Sequence, residues 1–500
     1  MMLPPAWQPR LKKLCIGLGL AAVVLLLSIY FYGKVNRVPP QMTINGNSLP
    51  SFSYKQLAQA LYSLEAELQQ LTVTLHAEKP WPHEAKLTAQ QLGVYTNAKE
   101  IIHDLHELRQ GSIWQKAAKR WENRSKNWEL RVYVNNDTLQ KTITQQWKAM
   151  HDMQPVNAKR ELTAKDQIRY VPEKSVFRAD LAKLQNLITA QLQMQLDQSP
   201  LLTPKLPDRM ALPLRVVQPT VTVDMLKQQG IEQLVSEFTT TFPTSQSGRN
   251  HNIQATAKAL DMTVLKPGEE FDYGKIIEET RSAYGFKEAP VILNGKMVPG
   301  IGGGICQVSS TLYNAILLYG LDASERRNHS LPVSYVPLGL DATFSTGYIN
   351  FKFKNTTKHH LLIHAEVIDG SITVKLFGKR TDPYTYSLRS EVIETIEPTV
   401  KYVHNGKLSP GETETIQKGK PGYVVKTVRV KKQDGKVIST EELSKDRYNA
   451  RPTIIAANLE GIESKTEKRP KKQIIEDGVE APSFGDNGSP EPMETFFPYE

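Results

Sequence analysis

The sequence predicts a multidomain α+β protein behind one N-terminal transmembrane helix. Three observations predict it. Residues 14–32 (LCIGLGLAAVVLLLSIYFY) form an uncharged apolar run of nineteen residues. Between residues 57 and 226, apolar positions switch repeatedly between helical and strand spacing. After residue 348, period-two alternation broken by Gly, Pro, Asn and Asp dominates. At 500 residues the chain has room for about three or four domains. Its net charge of +10 suits an anionic partner such as a membrane surface or an acidic polymer. No dense Lys/Arg block stands out, so a solvated basic surface is the plainer reading.

The apolar run would extend about 28 Å as a helix, close to the ~30 Å of a hydrocarbon core. Arg10, Lys12 and Lys13 precede it, and Tyr30 and Tyr32 fall where interfacial aromatics belong. A cleaved signal peptide would carry a shorter core and a small-x-small site, which the following Gly-Lys-Val-Asn-Arg does not supply. A signal anchor is expected: residues 1–13 cytoplasmic, 14–33 spanning, and everything after about residue 34 extracytoplasmic. Export argues against nucleic acid as a partner. The two cysteines, Cys15 and Cys306, would lie in different phases and cannot pair. An exported free thiol is an oxidation liability.

Residues 34–69 read as a membrane-proximal segment, with Leu57, Leu61, Leu64 and Leu68 at helical spacing. Residues 98–108 predict a second helix. Trp114, Trp121 and Trp128 punctuate a basic stretch. Such a pattern can stack on bases or sugar rings, but seating a helix on a core is the more common use. Residues 129–134 alternate as a strand, and Asn135 to Asp137 supply a turn and N-cap for a helix through Trp147. The order strand, turn, helix recurs after residues 168 and 214, with an irregular period. This pattern over residues 70–200 resembles the peptidoglycan-binding domain that precedes catalytic or accessory domains in exported proteins. The resemblance implies a wall partner and names no ligand residue. The Pro-rich residues 201–240 are expected to be a linker or connecting α+β segment.

Residues 241–379 change in texture. Lys266-Pro267-Gly268-Glu269 fits a type II turn, and residues 291–297 a hairpin with Asn-Gly at its tip. The hairpin leads to Gly302, Gly303 and Gly304. Ile305, Val308, Leu312, Ala315, Ile316 and Tyr319 then follow helical spacing, which puts Cys306 in the first turn. A helix N-terminus lowers a thiol's pKa, and its free N–H groups suit an oxyanion. His329, in a polar loop, is the candidate base. Asn328 and Asp341 are candidates to orient it. His251, His359, His360 and His364 are further histidines nearby, and His364 alternates with apolar neighbours as a packed strand residue would. The catalytic reading is therefore Cys306, His329 and Asp341. The structural alternative makes Cys306 a small buried hydrophobe and the glycines a tight helix-on-strand contact. One Cys and scattered His give no metal-ligand spacing, the glycines are no P-loop, and no cofactor is expected.

PGEEFDYGKII, EAPVILNGKMVPGIGGGICQVSSTLYNAILLYGL and RRNHSLPVSYVPLGLDAT closely resemble the VanW family over about residues 249–379. The resemblance implies an exported, cell-wall-associated role and an association with glycopeptide resistance, and it brings no mechanism. The matching motif positions are Gly302, Gly303, Gly304, Cys306, Gln307, Ser309, Ser310, Asn314, His329, Ser330 and Asp341. The Ser-His-Gly-Cys signature of L,D-transpeptidases is absent, so their chemistry is not carried over.

Residues 348–354, 361–367 and 372–377 predict an antiparallel meander closing on the Cys306 helix, with Asp369-Gly370 at its second turn. Residues 385–457 resemble the G5 domain through Gly406, Pro410-Gly411-Glu412, Gln417-Lys418-Gly419-Lys420-Pro421-Gly422 and Asp434-Gly435-Lys436. That implies an all-β module with a glycan ligand containing N-acetylglucosamine. Residues 460–500 are polar and expected to be a disordered tail, with Phe496, Phe497 and Tyr499 a docking cluster. The expected function is a membrane-anchored protein binding peptidoglycan. The alternative is a thiol-dependent hydrolase or acyltransferase acting on wall peptide.

Overall fold

The computed structural model describes residues 8–78, 81, 83–293, 296–458 and 475–479. The chain divides into two compact units, Met1–Asn157 with Glu173–Thr220, and Ala158–Pro172 with Val221–Glu500.

The first unit begins with α1 (Gln8–Lys34), whose stretch Lys12–Lys34 is long and apolar enough to cross a membrane. α2 (Tyr54–Gln70) is started by a capping box of Ser53 and Gln56, and it buries Leu57, Leu61, Leu64 and Leu68 along one stripe. α3 (Ile113–Glu122) carries a second capping box, Ser112 with Gln115. α4 (Leu181–Gln198) buries Leu184, Ile188, Leu192 and Leu196 at the same spacing. These leucines share one core with Val73, Leu75 and Leu87 of the adjacent sheet. That sheet runs Arg209–Ala211, Thr72–Ala77, His83–Thr88. Trp128 is buried in the core as expected, but Trp114 and Trp121 are 47% and 60% exposed. These two lie beside Tyr30 and Tyr32 of α1, with ring centroids 6.5 and 6.4 Å apart.

Of the two expected readings of residues 201–240, linker or connecting α+β segment, the structure has the latter: Arg209–Ala211 and Leu214–Val217 pair with strands of the first unit, and residues from Val221 belong to the second unit. Prolines at 207 and 213 flank these short strands, which made the segment read as open chain. Residues 158–172, inside the expected 70–200 region, fold as a hairpin of the second unit, where Asp166 accepts from Lys375 Nζ at 2.9 Å.

The second unit holds the central domain and the β module. β1 (Gln233–Thr241) enters first, followed by α5 (Ser247–Leu260). The Lys266 carbonyl accepts from Glu269 N–H at 3.0 Å and Gly268 has φ +79°, as the type II turn demands. The hairpin β2 (Glu288–Leu293) and β3 (Lys296–Ile301) then delivers the chain to α6 (Ile305–Tyr319). Its Asn-Gly tip lies outside the described residues. β4 (Leu361–Ile368) and β5 (Ser371–Gly378) follow. The main sheet has the order β1, β5, β4, Thr263–Leu265, all antiparallel. The expected meander is therefore corrected. β4 and β5 pair, but Lys352–Lys354 sits in a separate sheet between Glu270–Asp272 and Ala323–Glu325. β1 takes the edge of β5, a pairing across more than a hundred residues that local alternation cannot signal.

In the β module, β6 (Tyr384–Ile396), β7 (Gly422–Gln433) and β8 (Lys436–Tyr448) form one sheet, and Val400–His404, Thr453–Ala457 and Thr413–Gln417 form another. The expected disordered tail is corrected in part. Residues 475–479 are described and largely buried, and β9 (Ile475–Glu476) pairs antiparallel with β2. The rest of 460–500, including Phe496, Phe497 and Tyr499, lies outside the described residues.

Candidate functional site

α6 is buried along its length from Ile305 to Leu317, so every polar residue on it must find a partner inside the protein. Gly303 is fixed by contact: a Cβ there would stand 2.3 Å from the Pro290 carbonyl of β2. Gly304, the N-cap, has φ +110°, which a side chain rarely tolerates. Gly302 lies against Val479. The three glycines let the start of α6 enter between the β2/β3 hairpin and α5, a packing role.

Cys306, Ser310 and Asn314 stand on one face at a spacing of four. The Phe344 N–H donates to Cys306 Sγ at 3.0 Å, and the thiol donates to the Phe344 carbonyl at 3.5 Å. The Ala342 N–H donates to Ser310 Oγ at 2.9 Å, and Ser309 Oγ donates to the Ala342 carbonyl at 2.7 Å. Asn314 Nδ2 donates to the Leu340 carbonyl at 2.7 Å. Four helical residues rise about 6 Å and two extended residues advance about 6.6 Å, so one helix face can hold alternate residues of a facing segment. The motif Cys-x-x-Ser-Ser-x-x-x-Asn thereby clamps residues 340–344 to α6.

Asp341 lies between two clamped residues, and its carboxylate is held from other directions. Its Oδ2 accepts from the His329 N–H at 2.7 Å and pairs with His329 Nδ1 at 2.6 Å. Its Oδ1 accepts from the Tyr448 hydroxyl, contributed by the β module. Arg326 donates through Nε to the Asp341 carbonyl at 2.7 Å and through Nη1 to both carboxylate oxygens of Asp446 at 2.6 and 2.7 Å. Burial pushes the Asp341 carboxyl up, but the hydrogen bond and charge of His329, with Arg326 behind, outweigh it and hold the pKa at about 2. Burial pulls the His329 imidazole down, and Asp341 reverses this and leaves it above its ordinary value. His329 Nε2 is buried with no hydrogen-bond partner among the described residues.

The segment 475–479 closes the site. Asp477 Oδ1 accepts from the Cys306 N–H at 2.8 Å and the Gly304 N–H at 3.1 Å, and Asp477 Oδ2 accepts from Arg249 Nη1 at 3.0 Å. Arg249 also donates to Gln307 Oε1, and Gln307 Nε2 donates to Thr240 and Thr241 of β1. Glu476 Oε2 accepts from the N–H and the hydroxyl of Ser330 at 2.8 and 2.9 Å. The Arg249 guanidinium lies 5.9 Å from the Tyr335 ring centre, and the Tyr335 ring is 6.5 Å from that of His329.

His329 and Asp341 are thus brought together directly. Among the described residues, the hydrogen bonds of the Cys306 sulfur run to the Phe344 main chain. Burial pushes the Cys306 thiol well up, and the Asp477 carboxylate pushes it further. The expectation that the helix N-terminus would depress this thiol is therefore corrected: Asp477 takes up the N–H groups and adds a negative charge. Sequence reasoning missed Arg249, Tyr335, Tyr448, Glu476 and Asp477. For the last two the available signal was Glu-Asp-Gly between Ile475 and Val479 in an otherwise polar tail. Among the described residues, no group of three His, Cys, Asp or Glu side chains is placed to hold a metal ion.

Comparison with known proteins gives three family matches: "VanW like protein" over residues 248–377, "G5 domain" over 388–458, and "Putative peptidoglycan binding domain" over 85–198. The uncharacterized protein YoaR of Bacillus subtilis (strain 168) is 38% identical over 172 residues, 34% of this chain and 56% of that one. The vancomycin B-type resistance protein VanW of Enterococcus faecalis (strain ATCC 700802 / V583) is 28% identical over 156 residues, 30% of this chain and 57% of that one. The chain thus spans a little over half the length of these relatives. The solved G5 domain of IgA1 protease is 24% identical, covering 16% of this chain and 95% of that one, with a TM-score of 0.13. The chain carries a VanW-like domain between a peptidoglycan-binding-type domain and a G5 domain, in that order, and resembles the two relatives over part of their length.

Proposed function

We propose that this cell-wall-associated protein is held in the membrane by α1, with residues after about 34 extracytoplasmic. Its flanking domains bind peptidoglycan or a related glycan containing N-acetylglucosamine. In this reading it serves wall metabolism or glycopeptide resistance as an accessory. The observation that carries the reading is the order along one chain of an apolar helix, a peptidoglycan-binding-type domain, a VanW-like domain and a G5 domain. The test is co-sedimentation of the detergent-solubilised full chain with purified peptidoglycan sacculi. The expected result is saturable retention that is lost when the sacculi are first digested with a muramidase. Equal recovery in the supernatant with and without sacculi would refute it.

A second reading is favoured by the His329–Asp341 pair and the unpartnered His329 Nε2. Here Cys306 gives its proton to His329 and its sulfur attacks an acyl carbon of wall peptide, forming a thioester as the amine leaves with that proton. Water or an acceptor amine then takes the acyl group. The buried, neutral thiol weighs against this reading while residues 475–479 stay in place. Its test is mass spectrometry of the full chain incubated with purified muropeptides. An acyl adduct on Cys306, absent in Cys306→Ser, supports it, and an unmodified thiol with unchanged muropeptides rejects it.

A further inference from the structure

The segment 475–479 is held as a bound peptide is held. It follows the last strand of the β module, yet it pairs with β2 of the VanW-like domain, Glu476 opposite Ile292 and Ile475 opposite Leu293. The Val479 N–H donates to the Ile301 carbonyl of β3 at 2.8 Å, and Gly478 bridges to Ser345. Main-chain pairing to a sheet edge gives an extended peptide affinity, and side-chain contacts give it specificity. The specificity contacts here are for carboxylates. Asp477 sits on the N–H groups opening α6 and on Arg249, and Glu476 on Ser330. A helix N-terminus favours such an anion. A second, independent feature adjoins the segment: His329, next in the chain to the Ser330 that holds Glu476, is fully buried and its Nε2 has no partner among the described residues.

We propose that the edge of β2, the N-terminus of α6, Arg249 and Ser330 form a binding site for an extended peptide bearing carboxylates, and that residues 475–479 occupy it in cis. An external acidic peptide must displace this segment to bind. The proposal concerns binding alone, so it stands whether or not Cys306 reacts and whether or not the flanking domains hold the wall.

The displacement can be forced from the segment itself. A Cβ on Gly478 would lie 2.5 Å from Val291 Cγ1 and 3.1 Å from the Ile301 carbonyl, so Gly478→Val is expected to displace the segment while changing no residue of the groove. The probe is a fluorescein-labelled synthetic peptide with the sequence of residues 473–480 (QIIEDGVE). Its binding to the full chain in detergent is read by fluorescence anisotropy. The expected result is at least tenfold tighter binding to Gly478→Val than to the parent. A probe with Asn at the position of Asp477 should bind the variant at least tenfold more weakly. Equal affinity for parent and variant, or equal affinity of the Asp and Asn probes, overturns the proposal. Circular dichroism checks the fold. If Gly478→Val lowers it, the double substitution Glu476→Ala, Asp477→Ala removes the anchoring carboxylates without adding bulk and is read by the same two criteria.

Discussion

The Asp477 carboxylate caps the helix that carries Cys306, accepting from the Cys306 N–H at 2.8 Å across 171 residues of chain. A helix N-terminus ordinarily favours a thiolate, but here its N–H groups are already spent on a carboxylate. The sulfur instead bonds the Phe344 main chain, is fully buried, and stays neutral. The environment of Cys306 is thus set in part by a residue distant in sequence but in direct contact.

Ser310 should matter more to stability than Ser309. Its hydroxyl accepts from the Ala342 N–H and donates to the Cys306 carbonyl. Ser310→Ala leaves a buried N–H unpaired, a loss of about 1–3 kcal/mol. Ser309→Ala removes a donor to the Ala342 carbonyl, to which the Ser310 hydroxyl also lies within reach at 3.4 Å. Urea denaturation of the full chain should place the Ser310→Ala midpoint below that of Ser309→Ala. The reverse order would show that the clamp on residues 340–344 does not work through Ser310.

The His329–Asp341 pair gives a pH window. His329 has a folded pKa above its ordinary ~6.5, so its contribution to stability is complete below ~6.5 and is lost as pH rises through the folded value. Asp341 has a folded pKa of about 2, so its contribution is present above its model value of 3.8 and is lost as pH falls toward 2. The melting temperature of His329→Gln should therefore fall furthest below the parent between about pH 4 and 6.5. The gap should narrow at pH 9. A constant gap across that range would mean that the imidazole is not protonated in the folded protein.

Arg326 joins the VanW-like domain to the G5 domain. Its Nη1 donates to both carboxylate oxygens of Asp446 and its Nε to the Asp341 carbonyl, from a nearly water-free position. Removing one member of such a buried pair costs about 3–5 kcal/mol. Arg326→Lys should recover little, because one ammonium cannot replace Nε, Nη1 and Nη2, which reach the Asp341 carbonyl, Asp446 and the Gly339 carbonyl together. Differential scanning calorimetry should show one transition for the two domains in the parent and a split or lowered transition in Arg326→Ala. An unchanged trace would mean that the contact does not couple them.

Much of this was legible locally. The spacing of Ile305, Val308, Leu312 and Ile316 announced the helix, and Pro267-Gly268 announced its turn. The His329–Asp341 pair was reachable because both lie in one loop region beside the helix. What was not legible is non-local. Tyr448 and Asp446 reach the site from another domain, and their strand pattern reads the same with or without that contact. β1 displaced an expected neighbour in the main sheet for the same reason. Asp477 lies in a stretch too short for any periodicity and flanked by polar chain. The thiol's direction was misread because the helix-terminus argument omitted burial and a competing anion.

Residues 475–479 cap the helix that carries Cys306, and thiol labelling reads whether they also keep its sulfur unreactive. In a Cys15→Ser background, the rate of iodoacetamide alkylation of Cys306 is measured from pH 6 to 9.5 for the full chain and for its Asp477→Ala and Gly478→Val forms. The parent should label slowly throughout. Both variants should label at least tenfold faster, with the midpoint of the pH profile moved to lower pH. Equal rates in folded parent and variants would show that residues 475–479 do not control the reactivity of Cys306.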